Sequence, residues 1–441
     1  MTQPIQKFIV EGGHKLKGTV TVSGSKNAAL PILCAALLTD EVSEISNVPD
    51  IADIHTLFNI FRELNVKVEF SDHKATIDPS NLSLAKITDK YINSMRASIL
   101  LIGPLLQRFP DVHMPFPGGC VLGKRSAFAH TYAFRAMGAE VLDETQSLHV
   151  TRKNLKPATV VMPEMSVTAT ENLLMLATLT PGTTEIKLAA MEPHVQDLCA
   201  FLNNMGANIK VVSPHHFKIE GVKQLKGAKH TITGDYLEAG TFAIAALVTG
   251  GEVTIKGIET DQLDSFWQKL EETGAKFELS KNEVKIFPSH ETGHGTTHAA
   301  ATSAHSSPAL HAVEILRTAV YPSFPTDLQA PFAILLTQAH GKSKIFETLF
   351  EGRLNYLFEL EKMGAKVQIL NPHQAIIEGP THLKGMPIAS IDIRAGAAMV
   401  LAALCAKGPT EISNIKYIDR GYERLDEKLR SLGAKIERVQ E

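Results

Sequence analysis

The sequence predicts an α/β protein made of six repeated units that are grouped into two similar domains. Three observations lead to this fold class. A short phrase centred on a glycine recurs along the 441 residues, an apolar helical segment precedes each copy, and alternating apolar and polar residues follow it. Because a single core rarely exceeds about 250 residues, units of about 70 residues are expected to form two domains of roughly 200 residues, with three units in each.

The recurring phrase sets the length of the unit. It reads AMGAEV, NMGANI, ETGAKF, KMGAKV and SLGAKI, with ELNVKV as a degenerate sixth copy. Glycine after an apolar helix is typical of a helix C-cap, and the alternating residues after it, as in 365–379, predict a hairpin. The central positions, about 70 residues apart except for one longer interval, are Asn65, Gly138, Gly206, Gly274, Gly364 and Gly433.

The longer interval contains residues 289–310, a stretch rich in Thr, Ala, Ser, His and Gly. Its lack of periodicity predicts an inserted loop. Four histidines in it, His290, His294, His298 and His305, are irregularly spaced among small residues, which favours a solvated loop over a metal site.

Each unit also contains a helix that is apolar around nearly its whole circumference. The six segments read NAALPILCAALL, RASILLIGPLL, TENLLMLATL, AGTFAIAALVTG, PFAILLTQAH and AGAAMVLAALCA. Helices of this composition are expected to be buried. The unit is therefore predicted to contain a buried helix, a strand, an amphipathic helix and a hairpin.

Cations stand at the start of three of these buried helices, at Lys26, Arg96 and Arg394. A positive charge at a helix N-terminus opposes the helix dipole unless an anion lies nearby. Three cations at equivalent places of a repeat therefore predict an anion-binding site, which we expect in a cleft between the two domains.

The segment PGGCVLGKR places Cys120 among glycines, with Lys124 and Arg125 close behind. Free cysteine usually belongs in a core, whereas a thiol on a loop beside cations is typical of a reactive group. The other three cysteines, Cys34, Cys199 and Cys405, lie in apolar helical patterns and are predicted to be core residues.

Composition excludes several classes of protein. A formal net charge of -3 gives no general reason to bind nucleic acid or an anionic membrane. No signal peptide and no apolar run long enough to span a membrane are present, so a cytoplasmic location is expected. The cysteines show neither a disulfide framework nor metal-ligand spacing.

Five segments together, SGSKNAALPIL, PGGCVLGKR, FPTDLQAPF, DIRAGAAMVLAA and YIDRGYERLDEKLRSLGAKIERV, resemble the enolpyruvyl transferase family, and within it the enzymes that act on UDP-N-acetylglucosamine. The resemblance covers essentially the whole chain. It implies two inside-out α/β barrel domains of three units each, one formed by residues 26–233 and the other by residues 1–25 and 234–441.

The same resemblance implies an activity. The enolpyruvyl group of phosphoenolpyruvate would be transferred to the 3′-hydroxyl of UDP-N-acetylglucosamine, with release of phosphate through a tetrahedral intermediate, as the first committed step of peptidoglycan synthesis. No metal or organic cofactor is implied, and a monomer or weak oligomer is expected.

The resemblance also implies roles for single residues. Cys120 matches the general acid of a mobile loop and the target of fosfomycin, and Asp327 matches a base or orienting carboxylate near the sugar hydroxyl, although an aspartate there could also cap a helix. Lys26, Arg125 and Arg420 match contacts to the phosphate or carboxylate of phosphoenolpyruvate. Further substrate-binding positions are Asn27, Arg96, Ser166, Val167, Thr168, Arg353, Asp392 and Arg394.

Two positions depart from the family pattern. Phe128 stands where the family usually has aspartate in the uridine-facing wall, and Thr168 stands where it commonly has glycine near the diphosphate. These changes leave open a paralogue that acts on another nucleotide or nucleotide sugar. A shikimate-pathway enolpyruvyl transferase would lack the cysteine loop, and a catalytically silent binding protein would not need Cys120, Asp327 and Lys26 together.

Overall fold

The computed structural model describes residues 6–84, 89–93, 95–115, 118, 127–143, 147–288 and 310–440. The predicted site residues Cys120 and Arg125, together with Lys124, lie outside the described residues. So does the predicted inserted loop, apart from Leu310.

The described residues form 13 α-helices and 23 β-strands. The helices are α1 (Lys26–Ala35), α2 (Ala52–Glu63), α3 (Asp89–Ile92), α4 (Ile102–Arg108), α5 (Phe128–Ala136), α6 (Val167–Thr178), α7 (Pro193–Asn204), α8 (Tyr236–Val248), α9 (Asp264–Glu272), α10 (Gln329–Gln338), α11 (Leu357–Lys362), α12 (Ile393–Cys405) and α13 (Leu425–Ser431). The strands are β1 (Gln6–Glu11), β2 (Lys17–Thr21), β3 (Ser43–Ser46), β4 (Lys67–Ser71), β5 (Lys74–Asp78), β6 (Asp111–Pro115), β7 (Glu140–Asp143), β8 (Ser147–Thr151), β9 (Thr159–Val161), β10 (Gly182–Lys187), β11 (Asn208–Ser213), β12 (His216–Gly221), β13 (Lys229–Thr231), β14 (Glu252–Lys256), β15 (Phe277–Ser280), β16 (Glu283–Ile286), β17 (Ile315–Arg317), β18 (Gly341–Phe346), β19 (Lys366–Asn371), β20 (Gln374–Gly379), β21 (Pro387–Ala389), β22 (Pro409–Ser413) and β23 (Lys435–Gln440).

The contacts divide the chain into two compact units. The inner unit is formed by described residues between 24 and 234, and the outer unit by those up to 23 and from 235 onwards. Each unit has its own hydrophobic core, and the two cores share no residue.

Five of the six sheets have four strands in one common order. A short strand lies at one edge, parallel to the strand that follows a buried helix, and an antiparallel pair completes the other side. This pair is a hairpin in four of the sheets, as in the order β17, β18, β20, β19, and it consists of β1 and β23 in the fifth. Within the described residues the remaining sheet, of β6, β8 and β7, lacks the parallel edge strand. The predicted repeat of about 70 residues is therefore present, with one strand more than the sequence analysis expected.

The recurring glycines end the amphipathic helices in a left-handed backbone conformation, as predicted. Their φ angles lie between 79° and 102°. The degenerate copy has Asn65 at φ 58°, and asparagine is the residue that adopts this conformation most readily after glycine. The residues with these positive φ angles are Asn65, Gly138, Gly206, Gly274, Gly364 and Gly433.

The apolar helices are buried, which also confirms the sequence prediction. Every residue of α8 is buried, and all but the first residue of α12 are buried. The segment that starts at Arg96 differs in detail, because it begins as a 3₁₀ helix, Arg96–Leu101, before α4. No helix among the described residues has both the length and the apolar character required to span a membrane.

The N-terminal strands complete sheets whose other strands come much later in the sequence. β1 lies between β22 and β23 and pairs antiparallel with both, so that Gln6 is opposite Gln440. β2 is the parallel edge strand beside β14. In the inner unit the corresponding edge strand beside β3 is β13, which precedes the return of the chain to the outer unit.

The two segments that connect the units pair with each other. Gly24 and Gly234 form an antiparallel bridge, and a Cβ atom on Gly24 would lie 1.7 Å from the carbonyl oxygen of Asn47. In the outer unit, Lys428 Nζ donates to Glu238 Oε1 at 2.6 Å and to Ser23 Oγ at 2.7 Å. Partly buried hydrogen bonds from the charged Lys428 of α13 therefore link Ser23 to Glu238 in the first turn of α8.

Candidate active site

In the outer unit, a carboxylate lies between two arginines. These three residues, Asp327, Arg353 and Arg394, are called the outer-unit cluster below. Arg353 Nη2 donates to Asp327 Oδ1 at 2.5 Å, and Arg394 Nε donates to Asp327 Oδ2 at 3.1 Å. Both arginines are buried. Two buried cations therefore share one carboxylate, which is hydrogen-bonded to both.

Three separate elements supply these side chains. Asp327 lies in the 3₁₀ turn Thr326–Leu328 that leads into α10, Arg353 lies in the 3₁₀ helix Glu351–Tyr356, and Arg394 is in the first turn of α12. The alternative that Asp327 caps a helix is wrong, because the N-cap of its turn is Pro325 and the carboxylate binds the arginines instead.

The arginines control the protonation of Asp327. Burial by itself would raise the pKa of the carboxyl group, but Arg394 and Arg353 outweigh it, and the pKa of Asp327 lies well below its usual range. The group is consequently an anion throughout the neutral range, and a weak proton acceptor for as long as both ion pairs last.

One nitrogen of Arg394, Nη1, makes no hydrogen bond with the described residues. Its guanidinium lies 5.1 Å from the ring centroid of Tyr422, whose hydroxyl is 3.0 Å from Thr241 Oγ1. Among the described residues, Arg394 Nη1 is buried without a hydrogen-bond partner, and so is Asp392 Oδ2. The other oxygen of Asp392 caps α12 by accepting from the backbone N–H groups of Arg394 and Ala395.

Arg420 lies at the end of the 3₁₀ helix Ile415–Arg420 and is partly exposed. The adjacent Asp419 accepts two hydrogen bonds from Arg438, each 2.8 Å long. This two-pronged pair fixes the end of the helix that carries Arg420.

In the inner unit, Lys26 begins α1 and is buried. Its Nζ lies 2.6 Å from Oδ2 of Asp53, a buried residue of α2. The anion that a cation at a helix start requires is therefore a carboxylate of the chain itself, as it is for Arg394. Asn27, which follows Lys26, is partly exposed.

The N-terminus of α6 brings together three further predicted residues. Ser166 is the N-cap residue, but its side chain makes no capping hydrogen bond. Val167 and Thr168 open the helix and are partly exposed. Thr168 Oγ1 lies 3.0 Å from Nε2 of His130, a buried residue of α5.

His130 links this helix start to the cation at Arg96. Burial and the positive charge of Arg96 lower the pKa of His130 to about 3, so the ring is neutral at physiological pH. On the same helix Phe128 is 55% exposed, and its ring centroid lies 6.0 Å from that of Tyr132.

Comparison with known proteins places this architecture in a family. The sequence profile of EPSP synthase (3-phosphoshikimate 1-carboxyvinyltransferase) matches residues 10–429. The chain is 42% identical, over 99% of its length and the whole of the relative, to UDP-N-acetylglucosamine 1-carboxyvinyltransferase 3 of Caldanaerobacter subterraneus subsp. tengcongensis. The chain belongs to the EPSP synthase family of enolpyruvyl transferases.

A second relative and two solved structures are also similar to this chain over nearly its full length. UDP-N-acetylglucosamine 1-carboxyvinyltransferase 2 of Carboxydothermus hydrogenoformans is 42% identical, over 99% of this chain and 100% of the relative. The crystal structure of the enolpyruvyl transferase NikO from Streptomyces tendae matches 99% of this chain and 100% of its own with a TM-score of 0.87 at 23% identity. An EPSP synthase from Acinetobacter baumannii matches the same shares with a TM-score of 0.74 at 19% identity. These structures confirm the predicted fold class, the two-domain inside-out α/β architecture.

Sequence reasoning missed four residues that support the site in this enolpyruvyl transferase: Asp53, His130, Asn172 and Tyr422. Each is separated from its partner by many residues, and each sits in a segment whose pattern is that of an ordinary amphipathic or buried helix or turn. The one available signal was Asn172, because an amide in the middle of an otherwise apolar helix requires hydrogen-bond partners.

We expect Asp327→Asn to destabilise the outer unit by about 3 kcal/mol at neutral pH, because it removes the negative charge that is hydrogen-bonded to two buried arginines. Since the pKa of Asp327 is lowered on folding, its contribution is complete above the usual aspartate pKa of about 4 and declines as the pH falls further. Urea unfolding followed by the fluorescence of Trp267, a buried residue of the outer unit and the single tryptophan of the chain, measures this.

The matched control is Asp261→Asn, which changes an exposed aspartate of the same unit and should leave the unfolding free energy within about 0.5 kcal/mol of the wild type. A destabilisation by Asp327→Asn that is as large at pH 3 as at pH 7 would contradict the ion-pair explanation.

Proposed function

We propose that the protein transfers the enolpyruvyl group of phosphoenolpyruvate to the 3′-hydroxyl of UDP-N-acetylglucosamine, with release of phosphate. Two relatives with this activity in their names are 42% identical over nearly the full length. The observation that carries the proposal is the outer-unit cluster, in which a carboxylate is held between two buried arginines and Arg394 Nη1 has no hydrogen-bond partner among the described residues.

In this proposal the anionic substrate binds to the cations. Phosphoenolpyruvate carries a phosphate and a carboxylate, and guanidinium groups bind both in a two-pronged manner. Arg394 Nη1 and Arg420 donate hydrogen bonds to one end of it. Lys26 and Arg125, from the sequence of the inner unit, contribute further positive charge. Arg125 lies outside the described residues, and its role rests on the family resemblance.

Asp327 orients the acceptor. Its low pKa makes it a poor general base while both arginines hold it, so its main work is to accept a hydrogen bond from the sugar hydroxyl and align it with C2 of phosphoenolpyruvate. As the hydroxyl oxygen bonds to C2, the C2–C3 double bond opens, the methylene carbon takes a proton, for which Cys120 is the proposed acid, and the hydroxyl proton is released to water. The bond between C2 and the phosphate oxygen then breaks, and loss of a proton from the same carbon restores the double bond of the enolpyruvyl group.

The nucleotide sugar occupies the inner-unit positions in this proposal. Asn27 and Arg96 contact the sugar nucleotide, Ser166, Val167 and Thr168 face its diphosphate, and Phe128 faces the uracil. Arg353 and Asp392 support the cluster around Asp327. We place the reaction in the cytoplasm, as the first committed step of peptidoglycan synthesis, with no metal or organic cofactor.

Release of inorganic phosphate from phosphoenolpyruvate tests the proposed activity, with a panel of acceptors that includes UDP-N-acetylglucosamine, UDP-glucose, UMP and shikimate 3-phosphate. The proposal expects turnover with UDP-N-acetylglucosamine and none with shikimate 3-phosphate. Preferred turnover of another nucleotide would support the paralogue alternative, which Phe128 and Thr168 leave open because both depart from the family pattern at the nucleotide positions. Absence of phosphate release with every acceptor would support a silent binding protein.

We expect Phe128→Ala to raise the KM for the nucleotide sugar about threefold to tenfold, because an exposed ring that stacks on uracil contributes about 0.5 to 1.5 kcal/mol. The KM for phosphoenolpyruvate should stay nearly constant. Phe358→Ala, which removes a ring that is 54% exposed on α11 of the outer unit, is the matched control and should change neither constant. Equal changes in both constants for Phe128→Ala would remove this residue from the nucleotide site.

We expect Cys120→Ser to lose nearly all turnover, because an alcohol is a far weaker acid than a thiol. Cys120→Asp should keep activity with a pH optimum shifted downward, because a carboxylic acid donates protons only where part of it is protonated. Fosfomycin should inactivate the wild type with time and add one inhibitor mass to the peptide that contains Cys120, and it should spare the aspartate variant. Cys34→Ser, at a buried thiol whose pKa burial raises, is the control and should remain sensitive to fosfomycin.

A further inference from the structure

The hydrogen bonds around His130 fix the direction in which the hydroxyl of Thr168 can donate. Asn172 is a fully buried residue of α6. Its Oδ1 accepts from the backbone N–H of Gly103 at 2.8 Å, and its Nδ2 donates to the carbonyl oxygen of Ile99 at 2.9 Å. Because a backbone N–H only donates and a carbonyl only accepts, these two bonds settle the orientation of the amide.

The amide in turn settles the tautomer of His130. Asn172 Nδ2 lies 3.1 Å from His130 Nδ1 and is a donor, so Nδ1 must be the acceptor. The ring is buried and neutral, and its proton is therefore on Nε2. Nε2 lies 3.0 Å from Thr168 Oγ1 and donates to it.

Thr168 consequently cannot give its own proton to His130. Within the described residues, the contact with His130 is the sole hydrogen bond of this hydroxyl. The proton of Thr168 is left to donate away from the ring, at a helix start where the N-cap side chain of Ser166 makes no capping bond. Arg96 is close enough for its charge to lower the pKa of His130.

We propose that Thr168 is a phosphoryl-binding residue and that His130 and Asn172 are positioning residues which keep its hydroxyl a donor toward an oxygen of the acceptor's diphosphate. This inference rests on the proposed function for the identity of the ligand. It gives Thr168 a direct role at a position where the resemblance leads one to expect glycine, and it makes the strength of nucleotide binding depend on a tautomer fixed in the core of the inner unit.

Close packing around Asn172 supports the proposed orientation of its amide. A Cβ atom on Gly103 would lie 2.8 Å from Asn172 Oδ1 and 2.7 Å from its carbonyl oxygen. The glycine therefore allows the close approach through which its N–H orients the amide.

Calorimetric titration with UDP, and with uridine as the ligand that lacks phosphate, tests the proposal. A hydrogen bond to a charged group typically changes Kd by about tenfold or more. Thr168→Val should weaken UDP binding about tenfold and leave uridine binding unchanged, and Thr168→Ser, which keeps the hydroxyl, should restore UDP binding. The control Thr183→Val removes the hydroxyl of an exposed threonine on β10 and should not change either Kd.

Variants of His130 separate positioning from general support of the fold. His130→Gln keeps an N–H donor near the place of Nε2 and should bind UDP nearly as well as the wild type, whereas His130→Phe should weaken it as Thr168→Val does. The double variant His130→Phe, Thr168→Val should bind UDP no more weakly than either single variant, because each change removes the same interaction, the oriented hydroxyl of Thr168.

Unchanged UDP binding in Thr168→Val, equal weakening of UDP and uridine, or additive losses in the double variant would each overturn the proposal. So would a wild type that does not bind UDP. Phosphate release by the wild type judges the proposed function separately: an enzyme that releases no phosphate but binds UDP through Thr168 would remove the function and keep the inference.

Discussion

The carboxylate of Asp327 is the group on which the outer-unit site depends. Arg353 and Arg394 are both buried, and a cation cannot be buried without an anion or a dense set of acceptors. One carboxylate serves both, and it thereby ties together the 3₁₀ turn before α10, the 3₁₀ helix before α11 and the first turn of α12. The three elements belong to two successive repeats, so this ion cluster also joins repeat to repeat at the surface where the helices begin.

In the inner unit, different groups lie beside the cations at the helix starts. Lys26 at the start of α1 binds the buried carboxylate of Asp53, and Arg96 lies near a histidine that burial and the arginine keep neutral. Because the ring of His130 is neutral, it adds no second positive charge beside Arg96. Carboxylates of the chain thus neutralise Lys26 and Arg394, and Arg394 Nη1, which has no hydrogen-bond partner among the described residues, remains available to a ligand.

The sequence was sufficient for the parts of the fold that have a local cause. A glycine in the left-handed region and an apolar helix leave a pattern within a few residues, so the six repeats and the buried helices could be predicted. The edge strands β9, β13, β17 and β21 could not, since three residues are too short to show alternation. The pairing of β1 with β22 and β23 left no local pattern either, because the partners are more than 390 residues apart. In the site, cations at helix starts were visible for the same local reason, whereas Asp53 and His130 matter only through contacts made in three dimensions.

The pairing of β1 determines when the outer unit can fold during synthesis of the chain. This strand is synthesised before its two neighbours in the sheet, β22 and β23, which come more than 390 residues later in the chain. At about 5 to 20 residues per second, synthesis keeps β1 waiting for tens of seconds with both edges unpaired. The inner unit lies within one continuous stretch and can close during that time, whereas the outer unit can close only once β23 has been made. Until then the edges of β1 are open to pairing with other chains, and its charged residues, Lys7 and Glu11, are of the kind that discourages such pairing.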